Sequence, residues 1–140
     1  MKLDIAVAHI MSTDLKTLTK NQSLYEAEKL FKKYKIRHLP VVDGDVIVGV
    51  LSYSDLLKIS YADVADEEED VESVVYDMFS ISQVMAKVPV KVTSDTTIRE
   101  VIKILAKQTF HSLPVVENDG TLVGIVTTTD LLNYFLEEDK

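Results

Sequence analysis

Apolar residues recur at three- and four-residue intervals in two parts of the chain: Leu24, Ala27, Leu30, Phe31 and Tyr34, then Ile98, Val101, Ile102 and Leu105. That spacing lines one face of an α-helix. Both series open on a hydroxyl residue with glutamate three positions on, Ser23 with Glu26 and Thr97 with Glu100. This is a capping box, in which the hydroxyl accepts from an early helix N–H and the carboxylate reaches back. Each predicted helix is followed by a short apolar run with proline near its start, His38-Leu39-Pro40-Val41-Val42 and Ser112-Leu113-Pro114-Val115-Val116. Turn residues come next, Asp43-Gly44-Asp45 and Asn118-Asp119-Gly120, and then a second apolar run, Val46 to Leu51 and Leu122 to Val126. Two apolar runs around such turns predict hairpins.

The two patterns are copies of one another. Sliding the sequence by 74 residues places Ile5, Val7, Ile10 and Met11 on Phe79, Ile81, Val84 and Met85, and Leu39 to Val42 on Leu113 to Val116. One extra residue near Asn118 to Gly120 shifts the offset to 75, after which Gly49, Asp55, Leu56 and Leu57 fall on Gly124, Asp130, Leu131 and Leu132. With brief strands expected around Thr17 to Thr19 and Val90 to Thr93, each copy reads β-α-β-β-α. The fold class is mixed α/β, a tandem pair of such repeats: residues 5–61, an acidic linker and helix over 62–78, and residues 79–137.

Composition narrows the setting. A chain of 140 residues, 46% hydrophobic and 27% charged, is ordinary for a globular protein, and no apolar run approaches the roughly 18 residues of a membrane helix. Without cysteine there is no disulfide framework, thiolate nucleophile or cysteine zinc site, and Asp4 with no extended apolar stretch argues against a secretory leader. A cytoplasmic address is expected. The net charge of −8 disfavours nucleic acid and anionic membrane as partners. The run Asp66-Glu67-Glu68-Glu69-Asp70 reads as a solvated linker, with a cation site as the alternative. Val71, Val74, Val75 and Met78 share one helical face beyond it.

The two hairpins end on related heptads, Gly49 to Asp55 (GVLSYSD) and Gly124 to Asp130 (GIVTTTD), at a predicted strand-to-helix junction. The hydroxyl occupies the N-cap and the aspartate the first turn, where free N–H groups and the helix dipole favour an anion. Ser52 and Thr127 can donate to a phosphate oxygen, and the Asp55 and Asp130 carboxylates can accept from the vicinal hydroxyls of a ribose. Ser/Thr-x-x-Asp is equally a variant capping box that does no more than start a helix.

Two such heptads in a duplicated unit, each preceded by a Leu-Pro-Val-Val strand, resemble the cystathionine-β-synthase (CBS) domain pair over nearly the whole chain. The resemblance implies one pseudo-two-fold module, a Bateman module, whose two clefts between the repeats hold AMP, ADP, ATP or S-adenosylmethionine. By position, Asp55 and Asp130 would be ribose-binding, and Ser52 and Thr127 phosphate-binding. Arg37-His38 and His111-Ser112 fall where the family often places further phosphate ligands. Arginine, a permanent forked cation, is the best phosphate ligand among them. An imidazole at His38 or His111 could equally satisfy a strand-edge backbone group, and His9 reads as structural or exposed. The adenine would sit against the loops Met11 to Thr17 and Met85 to Val90, which makes Asp14, Leu15, Val88 and Pro89 its candidates. The second copy lacks Arg or Lys beside His111, so its site is expected to take a less charged ligand, to draw phosphate contacts from the first repeat, or to stay empty.

No nucleophile with a matched base, metal triad or phosphate-binding glycine–lysine loop occurs, so no catalysis and no cofactor are expected, with magnesium only as a companion of ATP. The chain reads as a regulatory sensor of adenosine ligands that acts in trans on another protein, because it ends soon after the second repeat. A homodimer is expected through the motif-following helices, with Leu56, Leu57, Leu131, Leu132 and Phe135 as the contact. The alternative is a scaffold that dimerises and binds protein without nucleotide.

Overall fold

The computed structural model describes residues 2–62, 76–87, 90–109 and 111–139. The acidic run at 66–70, the apolar positions Val71, Val74 and Val75, and the adenine candidates Val88 and Pro89 lie outside the described residues.

A 3-10 turn at Val7–His9 is followed by β1 (Leu18–Thr19), α1 (Leu24–Tyr34), β2 (His38–Asp43), β3 (Val46–Ser52) and α2 (Tyr53–Ala62). The second copy supplies α3 (Ile81–Val84), β4 (Ala86–Lys87), β5 (Val92–Thr93), α4 (Ile98–Lys107), β6 (Ser112–Val116), β7 (Leu122–Thr127) and α5 (Thr128–Glu138). The chain is mixed α/β, as its pattern predicts. No helix among the described residues is long and apolar enough to cross a membrane.

Local chemistry explains the starts and stops. Ser23 accepts from the Glu26 N–H while Glu26 reaches back, a complete capping box on α1. At α4 only half of the predicted box forms. Thr97 accepts from the Glu100 N–H, and the carbonyls of Ile5 and Leu3 take the Ile98 and Arg99 N–H groups at 3.0 and 2.8 Å. A passing segment of chain thus satisfies donors at this helix start. The hairpins turn through Gly44 and Gly120, whose φ of +66° and +91° lie where glycine carries no steric cost. In both, the register slips by one residue at the same place, between Val41 and Val42 and between Val115 and Val116.

The compact units do not coincide with the sequence repeats. One unit comprises residues 16–88, the other residues 1–15 together with 89–140. The opening segment of each repeat therefore joins the body of the other. In the first unit the sheet order is β1-β2-β3-β4, with β1 parallel to β2 and the remaining pairs antiparallel, and Ala86 of β4 faces Val50. In the second, β5 runs parallel to β6, β6 antiparallel to β7, and Ser12 bridges Ile125 from the position that β4 occupies in the first.

Each exchanged segment is anchored in a core. Ile81 is fully buried with Leu18, Leu24, Ala27, Phe31, Leu39, Val41, Leu51 and Leu56, and Val7 with Ile98, Val101, Leu113, Val115 and Val126. Leu56 and Leu131 are thus core residues, at 0% and 6% exposure, and neither belongs to a contact surface as expected. Helical spacing alone does not say which side of a helix faces its own sheet. Leu132 and Leu136, at 55% and 66% exposure, lie on the open side of α5.

Methionine and glycine interlock where each segment crosses its sheet. A Cβ on Gly49 would overlap the Met85 sulfur and come within 2.9 Å of both its methyl carbon and the Ala86 carbonyl oxygen. One on Gly124 would meet the Met11 sulfur at 2.7 Å and the Ser12 carbonyl oxygen at 3.1 Å. Only the missing side chain lets the segment lie this close. Gly49→Ala is expected to cost about 1–3 kcal/mol by overpacking, measured by urea unfolding. Adding Met85→Ala should recover part of the loss, because the carbonyl contact remains. An unchanged unfolding midpoint in the single variant would refute the interlock.

Candidate functional site

The hairpin that ends in Ser52 also begins at His38, and these two residues pair across the strands. One residue further out on each side, the Tyr53 N–H donates to the Arg37 carbonyl at 2.9 Å, which pins the strand entry to the start of α2. The second hairpin is built identically: Ser112 pairs with Thr127, and the Thr128 N–H donates to the His111 carbonyl at 3.0 Å. Arg37, His38, Ser52 and Asp55 thereby gather at one hairpin end, and His111, Ser112, Thr127 and Asp130 at the other.

At both ends the hydroxyl performs the capping function. Ser52 Oγ accepts from the Asp55 N–H at 3.0 Å, and Thr127 Oγ1 from the Asp130 N–H at 3.1 Å. The aspartates differ. Asp130 Oδ2 accepts from the Thr127 N–H at 2.8 Å, completing a capping box, whereas among the described residues the Asp55 carboxylate makes no such bond. A carboxylate offers about four acceptor positions, so capping leaves Asp130 able to accept from a ligand hydroxyl, but in a more constrained direction. The surrounding hydroxyls differ as well. Ser52 and Ser54 lie 3.2 Å apart, whereas Thr128 Oγ1 donates to the His111 carbonyl at 3.3 Å.

Exposure sorts the remaining candidates. Arg37 and His111 are exposed, His38 is half-buried, and Ser112, at 7%, is the least open of the group. Arg37 has no ion-pair partner among the described residues. Ser12 exchanges two backbone bonds with Ile125, at 2.8 and 3.0 Å, which brings the loop after Met11 onto β7. The pairing is antiparallel, so the chain leaving Ser12 heads away from Thr127, carrying exposed Asp14 and half-buried Leu15 with it. His9 is exposed, its Nδ1 3.2 Å from the Ala6 carbonyl oxygen.

Pattern reasoning passed over the backbone tie from residues 37 and 111 to the helix starts, and the interlock of Gly49 with Met85 and Gly124 with Met11. Both have a visible signal: each pair recurs in the two copies.

A family model for the CBS domain matches the chain twice, over residues 7–62 and 81–137. The chain belongs to the CBS-domain family. As a CBS pair it is 30% identical over 129 residues, 92% of its length, to the uncharacterized protein MJ1232 of Methanocaldococcus jannaschii. It is 33% identical over 115 residues, 81% of its length, to the inosine-5'-monophosphate dehydrogenase of Halalkalibacterium halodurans. It spans 39% and 21% of those two proteins, less than half of each. Among solved structures it resembles CBSX2, a CBS-pair protein of Arabidopsis thaliana, in complex with AMP, with a TM-score of 0.79 and 25% identity over 97% of this chain and 99% of that one. It resembles equally the CBS domain pair of MJ0100 in complex with 5'-methylthioadenosine and S-adenosyl-L-methionine, at TM-score 0.79 and 25% identity over 98% and 99%.

The capping difference between the two motifs of this CBS pair has a measurable consequence. Asp130→Ala removes half a capping box and is expected to destabilise by about 1 kcal/mol. Asp55→Ala removes only a first-turn charge, worth about 0.3–1 kcal/mol. Chemical denaturation of the two variants checks the order, and a larger loss from Asp55→Ala would contradict the assigned bonding.

Proposed function

We propose that this CBS pair is a regulatory module that binds adenosine-containing ligands at its two strand-to-helix junctions and transmits their occupancy to a partner protein. Asp55 and Asp130 accept the ribose hydroxyls, Ser52 and Thr127 donate to phosphate, and Arg37 supplies the fixed positive charge. His38, His111 and Ser112 border the same hairpin ends as secondary phosphate contacts. Asp14, Leu15, Val88 and Pro89 are proposed to border the base.

The observation that carries this reading is the repetition of one junction, with strand entry tied to helix start at 2.9 and 3.0 Å and a capped hydroxyl beside an aspartate in both copies. At the first junction Arg37 adds an exposed cation that has no ion-pair partner among the described residues. The reading is supported by the adenosine compounds bound in CBSX2 and in the MJ0100 pair. The chemistry is recognition: donors for phosphate and acceptors for hydroxyls. Magnesium enters only if the ligand is ATP. A ligand shifts the conformational equilibrium only by its differential affinity for two states, so occupancy becomes a signal where the partner prefers one of them.

Homodimerisation is part of the proposal, with Leu132 and Leu136, one turn apart on the open side of α5, as the contact. The aqueous setting is taken to be the cytoplasm. Light scattering at micromolar concentration is expected to give twice the 15.7 kDa chain mass, and Leu132→Glu with Leu136→Glu to give the monomer. A monomeric parent would refute the dimer.

The central test is a thermal-shift panel of AMP, ADP, ATP, S-adenosylmethionine and 5'-methylthioadenosine. A ligand at 100 times its Kd is expected to add about 2.7 kcal/mol of stability. Asp55→Asn combined with Asp130→Asn should abolish the shift. A shift that survives the double variant would remove the aspartates from the site, and no shift with any compound would favour the nucleotide-independent scaffold.

A further inference from the structure

The two junctions share a fold but not a charge. At the first, the exposed Arg37 guanidinium has no ion-pair partner among the described residues, and its backbone is fixed beside the first turn of α2 by the Tyr53 N–H at 2.9 Å. It brings a permanent positive charge to the hairpin end that also carries Asp55. Two hydroxyls, Ser52 and Ser54, stand 3.2 Å apart at the same helix start. At the second junction the equivalent of Arg37 is His111, which lacks the permanent, forked charge of a guanidinium. Among the described residues no ion pair holds the Asp130 carboxylate. One of its oxygens is occupied by the Thr127 N–H at 2.8 Å, and the Thr128 hydroxyl is turned to the His111 carbonyl at 3.3 Å.

From this we infer that the junctions select different ligand classes: the first takes a phosphorylated adenosine ligand, the second an adenosine ligand without phosphate, neutral or cationic at its 5' end. The inference rests on the adenosine reading and goes beyond it by assigning charge class to site. A phosphate at the first junction meets a forked cation and two serine hydroxyls, and each bond they donate to it is charge-assisted. The same phosphate at the second meets the Asp130 carboxylate without a guanidinium at the equivalent position, while a thioether or sulfonium group there incurs no repulsion from it.

Calorimetric titration of the whole chain with AMP and, separately, with 5'-methylthioadenosine tests the assignment. AMP is expected to fill one site tightly, and Arg37→Met to weaken it at least about tenfold, with 5'-methylthioadenosine affinity unchanged within about twofold. Asp130→Asn should instead weaken 5'-methylthioadenosine and spare the AMP site. His111→Arg should create a second tight AMP site, a gain that general damage to the fold cannot produce. Two equal AMP sites in the parent protein, or equal losses for both compounds in Arg37→Met, would overturn the charge assignment while leaving adenosine binding intact. Absence of binding by either compound would overturn the adenosine reading itself, and this inference with it.

Discussion

Methionine laid across glycine is the contact on which the rest of this molecule depends. A hairpin two strands wide has an open edge, and an open edge needs a partner for its backbone groups. Here the partner is the opening segment of the other repeat, and it can approach β3 or β7 only because Gly49 and Gly124 present no side chain to Met85 and Met11. The same glycines stand three residues before the capping hydroxyls. The close crossing therefore sets where the strand stops, and the stop sets where the helix begins. The site is a consequence of the packing that closes the sheet.

That economy has a cost in how roles are shared. At both junctions one hydroxyl caps a helix and is proposed to face a ligand, so no change at Ser52 or Thr127 is purely functional or purely structural. The aspartates divide more cleanly. Asp130 is tied into its cap, and Asp55 is left free of one. Duplication preserved the backbone arrangement closely, down to the register slip at the same residue pair, while the side chains that carry charge diverged. Backbone geometry is held by many cooperative bonds, whereas Arg37 and His111 are exposed, and either residue leaves the strand entry intact.

Most of the local architecture was legible because its signals are local. Capping residues, turn glycines and apolar periodicity each act within a few positions, and they located the helices and hairpins. The gathering of Arg37, His38, Ser52 and Asp55 followed from the hairpin alone. What the repeat could not disclose was the exchange of opening segments: self-similarity says which positions are equivalent, and Val7 and Ile81 are, but not which sheet each one joins. Nor could apolar spacing separate Leu131, buried, from Leu132, exposed, since the face of a helix that meets its sheet depends on the angle at which the strand delivers it. The half-formed box at Thr97 has the same origin, a neighbouring segment that no local rule anticipates.

The exchange also imposes an order on biosynthesis. The opening segment of the first repeat leaves the ribosome well before its receptor, from Ser94 through Thr96 to Ile125, has been made. At about 5–20 residues per second, Val7, Ile10 and Met11 wait several seconds with their apolar faces exposed. The first hairpin likewise stays open at its edge until Met85 and Ala86 arrive. Neither half can be finished while the other is unbegun, so a nascent chain cut short between the repeats is left with one unclosed sheet and one unclaimed strand, a pair of exposed surfaces that quality-control proteases and chaperones are built to detect.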